Sequence, residues 1–60
     1  MDYVIALEID AALRYDSVVA ATDTAARARA IALLKSHPRA VQALIYRRNR
    51  LVAVLDPSSE

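Results

Sequence analysis

Apolar residues recur at every second position near the start of the chain, between Tyr3 and Ile9. Successive side chains of a β-strand point to opposite faces, so a period of two is typical of a strand with one buried face. Glu8 is the charged residue among the intervening positions. We therefore predict a first strand over residues 3–9.

Residues 11–21 are compatible with two interpretations. The segment 11–13 matches the start of a helix, whereas the segment 17–21 contains a β-branched pair that favours a strand. A strong helix start comes directly afterwards. We therefore predict a second strand over residues 17–21, reached through a loop around residues 11–14.

A helix start signal and a run of good helix formers follow. Thr22, Asp23 and Thr24 supply side-chain oxygens that accept hydrogen bonds from the free N–H groups of a helix N-terminus. Residues 25–35 are mostly Ala, Leu, Arg and Lys, which favour a helix, and Pro38 ends it because the residue before a proline avoids helical angles. The apolar stripe of this predicted helix consists of Ala26, Ala30, Ile31, Leu33 and Leu34.

Two strand-like runs come last, at residues 41–47 and 50–55. Only Arg48 and Asn49 separate them, which favours a hairpin with a two-residue turn, and Asn49 tolerates the positive φ that such turns require. The predicted order is therefore ββαββ. We predict a small α+β domain in which one helix lies on one face of an antiparallel sheet.

Both faces of the second predicted hairpin are apolar. Tyr46 is expected opposite Leu51 on one face, and Ile45 opposite Val52 on the other. One helix covers one face of a small sheet, so the second face needs a partner, and closed two-fold dimers are the commonest soluble oligomers. The alternative is that strands simply favour β-branched residues and the monomer leaves them exposed. We predict a homodimer with the interface residues Ala43, Ile45, Val52 and Val54.

The charges are unevenly distributed, although the net charge is only +1. Residues 24–55 carry seven Lys or Arg and no acid, whereas residues 1–23 carry five acids and one Arg. A basic hairpin tip suits contact with phosphates, and Tyr46 beside it is a candidate for stacking on a base. The bland alternative is that the two segments neutralise each other in the fold. The alternative function is therefore nucleic-acid binding through Arg27, Arg29, Arg47, Arg48 and Arg50.

His37 is the only histidine and precedes Pro38 at the predicted helix end, where capping is its simplest role. As a general base for Ser17 or Ser36 it would need an orienting acid and an oxyanion hole. The chain has no glycine to build a nucleophile elbow or a phosphate-binding loop. We predict no enzymatic activity.

Three carboxylates form the one candidate metal site. Glu8, Asp10 and Asp16 would converge across the first hairpin, and oxygen ligands suit Mg²⁺ or Mn²⁺. Without a histidine or a phosphate-binding loop, the set is more typical of a solvated strand edge, where charges prevent unwanted pairing. We predict no metal and no cofactor.

Sixty residues provide one core, which we place in a single domain over residues 1–56, followed by a polar tail over residues 57–60. Thirteen residues are alanine, so the core is thin, and there is no cysteine to reinforce it with a disulfide. The chain starts without a basic segment, and Glu8 interrupts its first apolar run. We therefore expect neither a signal peptide nor a membrane span, and predict a cytoplasmic protein.

The segment Tyr3-Val4-Ile5-Ala6-Leu7-Glu8, followed by Thr22-Asp23-Thr24 and an alanine-rich helix, resembles the first part of HicB-type antitoxin domains. The resemblance covers little more than half of the chain. The Pro/Gly-rich segment that those domains place before the helix is missing, so we assign no residue role from it. Frequent Ala, Arg, Val and Asp indicate a bacterial or phage gene with high GC content. We expect a small, non-enzymatic protein–protein interaction module.

Overall fold

The computed structural model describes residues 1–57 and contains one four-stranded antiparallel sheet and one helix in the order ββαββ. This confirms the predicted α+β fold class. The predicted tail over residues 57–60 lies almost entirely outside the described residues. The elements are β1 (Asp2–Ile9), β2 (Ala12–Val19), α1 (Asp23–Ser36), β3 (Ala40–Arg47) and β4 (Arg50–Leu55).

The strands lie in the order β2-β1-β3-β4, so β1 and β3 form the centre of the sheet. β1 pairs with β2 in a local hairpin, and β3 pairs with β4 in a second one. The two hairpins join through the β1–β3 ladder, in which Ile5 lies opposite Ile45. The β3–β4 turn and the start of β1 lie at one end of the sheet. The β1–β2 turn and the end of β4 lie at the other end.

β2 begins five residues earlier than predicted, and the loop around residues 11–14 does not exist. β1 and β2 are joined directly by Asp10 and Ala11, which have φ values of 52° and 63°. A two-residue turn of this type matches the twist of the strands and is usually built from Asn and Gly. Asp10 tolerates positive φ but Ala11 does not, so the sequence carries only half of the usual turn signal at this position.

Ala11 is strained in this turn, since the left-handed region brings its Cβ too close to the backbone. We expect Ala11→Gly to raise the free energy of unfolding by about 1 kcal/mol, measured by urea denaturation. The matched control is Ala12→Gly, at the neighbouring strand position, which should lower it by about 0.5–1 kcal/mol. Loss of stability in both variants would show that Ala11 is not held in the left-handed region.

The second turn is the predicted one, with Arg48 and Asn49 at φ values of 52° and 64°. Tyr46 lies opposite Leu51 as expected, but Ile45 lies opposite Ala53. Val52 is therefore an extra residue in β4, a β-bulge that leaves it without a partner in β3. Every pairing beyond the bulge differs by one residue from the predicted register.

The helix confirms the predicted start and stripe. Thr22 is the N-cap, and its Oγ1 accepts a hydrogen bond from the Ala25 N–H at 3.1 Å. Ala26, Ala30 and Leu34 are buried, while the flanking Ile31 and Leu33 are half-buried.

The core lies between the helix and one face of the sheet. Its largest fully buried side chains are Tyr3, Ile5, Leu7 and Ile45, from the two central strands. The helix and the sheet pack closely together, because the buried positions on both sides of their contact include small alanine side chains. These alanines are Ala26 and Ala30 in the helix and Ala40 and Ala43 in β3.

Candidate interaction surface

The face of the sheet opposite the helix has no second layer among residues 1–57, and its exposed side chains are mostly apolar. Strand alternation and the ladders decide which residues lie there: Ala6 pairs with Tyr15 on one side and with Leu44 on the other, and Leu44 pairs with Val54. The neighbouring row contains Ser17, Val4, Tyr46 and Leu51. We call this surface the open face; it comprises Val4, Ala6, Leu13, Tyr15, Ser17, Leu44, Tyr46, Leu51 and Val54.

Several large apolar side chains of the open face are strongly exposed. Tyr15 is 65% exposed, Leu51 53% and Val54 50%. Ala6, in the middle of the same face, is only 1% exposed. On the open face, the small and buried Ala6 therefore lies between larger side chains that are exposed. An exposed apolar patch of this kind is unusual for a monomer and marks an interaction site more often than a bare surface.

The structure corrects which residues of the second hairpin remain open. Ala43 and Ile45, two of the predicted interface residues, are 0% exposed beneath the helix. Val52 is the bulge residue and packs partly against the core, so of the predicted set only Val54 lies on the open face. The cause is the bulge in β4, together with the choice of β3 face that the helix covers. Leu44 and Tyr46, which alternate with Ala43 and Ile45 along β3, lie on the open face instead.

The two ends of the sheet carry opposite charge. The end with the second turn holds Arg47, Arg48 and Arg50, with Asp2 as its acid; we call it the basic end. The other end, the acidic end, holds Glu8, Asp10 and Asp56 together with Arg39. Glu8 accepts a hydrogen bond from Gln42 at 2.7 Å, and Asp10 pairs with Arg39 at 2.9 Å.

A concavity of about 710 Å³ lies where the open face meets the basic end. Its lining combines two aromatic rings with cationic and amide groups, which is a chemistry suited to a stacked or anionic ligand. The lining residues are Met1, Asp2, Val4, Tyr15, Tyr46, Arg47, Arg48 and Asn49.

The structure divides the five arginines predicted to bind nucleic acid into two groups. Arg47 and Arg48 line the concavity, and Arg50 pairs with Arg47 across the hairpin. Arg27 and Arg29 are exposed on the helix, in the other layer of the fold. A ligand in the concavity therefore contacts Arg47 and Arg48 without reaching Arg27 and Arg29.

His37 is confirmed as the C-cap of the helix. Its Nδ1 lies 2.9 Å from the Leu33 carbonyl oxygen, which accepts a hydrogen bond from that nitrogen. His37 also lines a groove of about 320 Å³ with Asp16, but neither candidate serine joins them there. The Ser36 hydroxyl donates to the Ala32 carbonyl at 3.0 Å, and Ser17 lies on the open face.

The three candidate metal ligands do not converge. Glu8 lies on the side of the sheet away from the helix, whereas Asp16 lies on the helix side, because Asp16 pairs with the buried Ile5. Among residues 1–57, no group of three or more Asp, Glu, His or Cys side chains is placed to hold a metal ion.

Tyr3 fastens the start of the helix to the sheet. Its ring is buried, and its hydroxyl donates a hydrogen bond to the Asp23 carboxylate in the first turn. This hydrogen bond, and secondarily burial, raises the pKa of the Tyr3 hydroxyl, while the nearby Arg47 acts in the opposite direction. The contact is structural and joins β1 to the first turn of the helix.

Sequence reasoning missed the contribution of β2 to the open face. Leu13 and Tyr15 are 48% and 65% exposed there. The signal was present as the alternation of Leu13, Tyr15 and Ser17 with Arg14 and Asp16, which has the period of a strand.

No helix within residues 1–57 is long and apolar enough to cross a bilayer. No protein-family model matches the chain, and no curated protein or solved structure matches it either.

Proposed function

We propose that this protein is a cytoplasmic, non-enzymatic protein–protein interaction module whose open face is covered by the open face of a second copy. The observation that carries the proposal is the exposure of Tyr15, Leu51 and Val54 together on one side of a sheet whose other side is covered by the helix. Moving such side chains out of water stabilises an assembly by roughly 1.5–3 kcal/mol for each one that becomes fully buried.

The size of the open face fits a small dimer interface. Four strands about 4.8 Å apart and about six residues per strand at 3.4 Å give a footprint of about 400 Å² per chain. Two such footprints total about 800 Å², which is below the roughly 1,200–2,000 Å² of stable interfaces and is typical of weak, transient pairs. We therefore expect a dimer that dissociates in the micromolar range.

The charges at the two ends favour a second copy over an unrelated partner. A two-fold axis that lies in the interface and runs across the strands places each basic end over the partner's acidic end. Opposite charge at facing ends is what a self-complementary surface requires.

Nucleic-acid binding is the second candidate, favoured by the concavity in which Tyr15 and Tyr46 lie beside Arg47 and Arg48. A strand of bases would use the same open face, so the two functions compete for one surface. They differ in salt dependence, because phosphate contacts weaken steeply as salt rises and apolar burial does not.

We expect Val54→Glu to raise the dimer dissociation constant about tenfold or more, because it buries a charge in an apolar interface. Sedimentation equilibrium from micromolar to hundreds of micromolar protein measures this change. The matched control is Ala32→Glu, at an exposed position on the helix, which should leave the dissociation constant unchanged. Circular dichroism would verify that both variants fold.

Two results would contradict the dimer. One is a wild-type chain that remains monomeric at hundreds of micromolar. The other is a dimer that Val54→Glu does not weaken. A monomer that binds a single-stranded oligonucleotide at low salt, and loses it as salt rises, would support the second candidate instead.

A further inference from the structure

β2 is the least covered element of the described chain. Of its eight residues, only Val18 is buried. The helix packs mainly on β3, so the helix side of β2 stays open as well. Arg14 and Asp16 project on that side, since they pair with Leu7 and Ile5 of the core. β2 is therefore exposed on both faces and along its outer edge.

The two edges of the sheet differ in how well they suit a further strand. β2 pairs with β1 through eight consecutive residues without a register shift, so its outer edge is regular. β4 has six residues, carries the bulge at Val52 and is followed closely by Pro57. Bulges and prolines protect an edge from further pairing, whereas a long regular edge presents a row of N–H and C=O groups to a new strand. β2 is the edge open to pairing.

The sequence of β2 is complementary to itself about Tyr15. In an antiparallel pair of two β2 strands centred on this residue, Tyr15 lies opposite Tyr15 of the other copy. Arg14 then lies opposite Asp16 of the other copy, and Asp16 opposite its Arg14, which gives two cross-strand pairs of opposite charge. Within residues 1–57, neither charged side chain has a hydrogen-bond or ion-pair partner.

We propose that the outer edge of β2 is a second interaction site, which pairs with β2 of another copy in the register centred on Tyr15. Main-chain hydrogen bonds supply the attraction, as in other cases of strand addition, and the Arg14–Asp16 pairs select the register and the partner. A slip of one residue would place Arg14 or Asp16 opposite Tyr15 and lose both charge pairs. This site is separate from the open face and extends the sheet sideways.

The test is a charge exchange between two variants, made in the Val54→Glu background so that association through the open face is weakened. Asp16→Arg gives two like-charged Arg pairs across the edge, and Arg14→Asp gives two like-charged Asp pairs. Each variant alone should dimerise about tenfold or more weakly than the background chain. Mixed in equal amounts, the two variants should form a heterodimer, because each basic position then meets an acidic one.

Sedimentation equilibrium with one variant carrying an absorbing label follows the heterodimer directly. Both substituted positions are exposed, and circular dichroism checks that each variant folds. As a second readout, amide exchange along β2 should slow with rising protein concentration in the background chain and in the mixture, but in neither variant alone.

Three results would overturn the β2 site: a background chain that stays monomeric, a dimer indifferent to both reversals, or single variants that lose association and do not regain it on mixing. Such a result would not contradict the open-face dimer, because that dimer is tested separately in an Asp16→Arg chain that keeps Val54. Conversely, if the Val54→Glu chain associates through β2, the edge site acts independently of the open face.

Discussion

Ile45→Ala is expected to lower the free energy of unfolding by about 3–4 kcal/mol, a large part of the stability of the domain. Ile45 is 0% exposed, lies opposite Ile5 in the central ladder and faces the helix. Deleting such a side chain removes its burial and leaves a cavity, at a combined cost of about 2–5 kcal/mol. At about 0.05–0.15 kcal/mol per residue, a chain of this length has only roughly 3–9 kcal/mol available. Urea denaturation followed by circular dichroism measures the loss.

Leu44→Ala is the matched control for Ile45→Ala. Leu44 is the neighbouring residue of β3 but points to the open face, where it is only half-buried. Measured at low protein concentration, its loss should cost about half as much or less, because less apolar area returns to water. Equal costs for the two substitutions would mean that the helix does not cover the face assigned to it.

Ala30→Leu is expected to lower the free energy of unfolding by about 1–3 kcal/mol, although leucine is the more hydrophobic residue. Ala30 is 0% exposed in the middle of the helix and belongs to the group of small residues where the two layers meet. Three extra carbons at this contact push the helix away from the sheet or force strained rotamers. Thermal unfolding at fixed protein concentration detects the change.

Ala28→Leu provides the comparison for Ala30→Leu. Ala28 lies on the same helix but is exposed, so leucine there should change stability by less than about 0.5 kcal/mol. If Ala30→Leu were neutral or stabilising, the helix would not be packed closely against the sheet at this position.

The helix and the second turn were predictable because their signals are local. Thr22 provides an oxygen for the helix N-terminus, and Asn49 tolerates positive φ. In each case the residue type alone indicates the local structure. The first turn was not predictable, because Ala11 adopts positive φ only under constraint from the paired strands. The start of β2 was misplaced for that reason.

The open face was predicted as a feature but, apart from Val54, assigned to the wrong residues. The apolar character of both hairpin faces is visible in the sequence, and the structure leaves one of them without a covering layer within residues 1–57. Deciding which face remains open requires the strand register. The bulge at Val52 changes that register by one residue, and in a strand a shift of one exchanges the two faces.

Because α1 lies on one side of the sheet, pairing of two β2 strands about an axis perpendicular to the sheet leaves both helices on that side. The two open faces then form one continuous surface. The axis proposed for stacking lies in the plane of the interface and is perpendicular to the first. Where the two axes meet at the level of Tyr15, four chains complete the arrangement: two eight-stranded layers inside and four helices outside. Perpendicular two-folds that intersect close a tetramer, so the particle would stop growing at four chains instead of extending into a fibre.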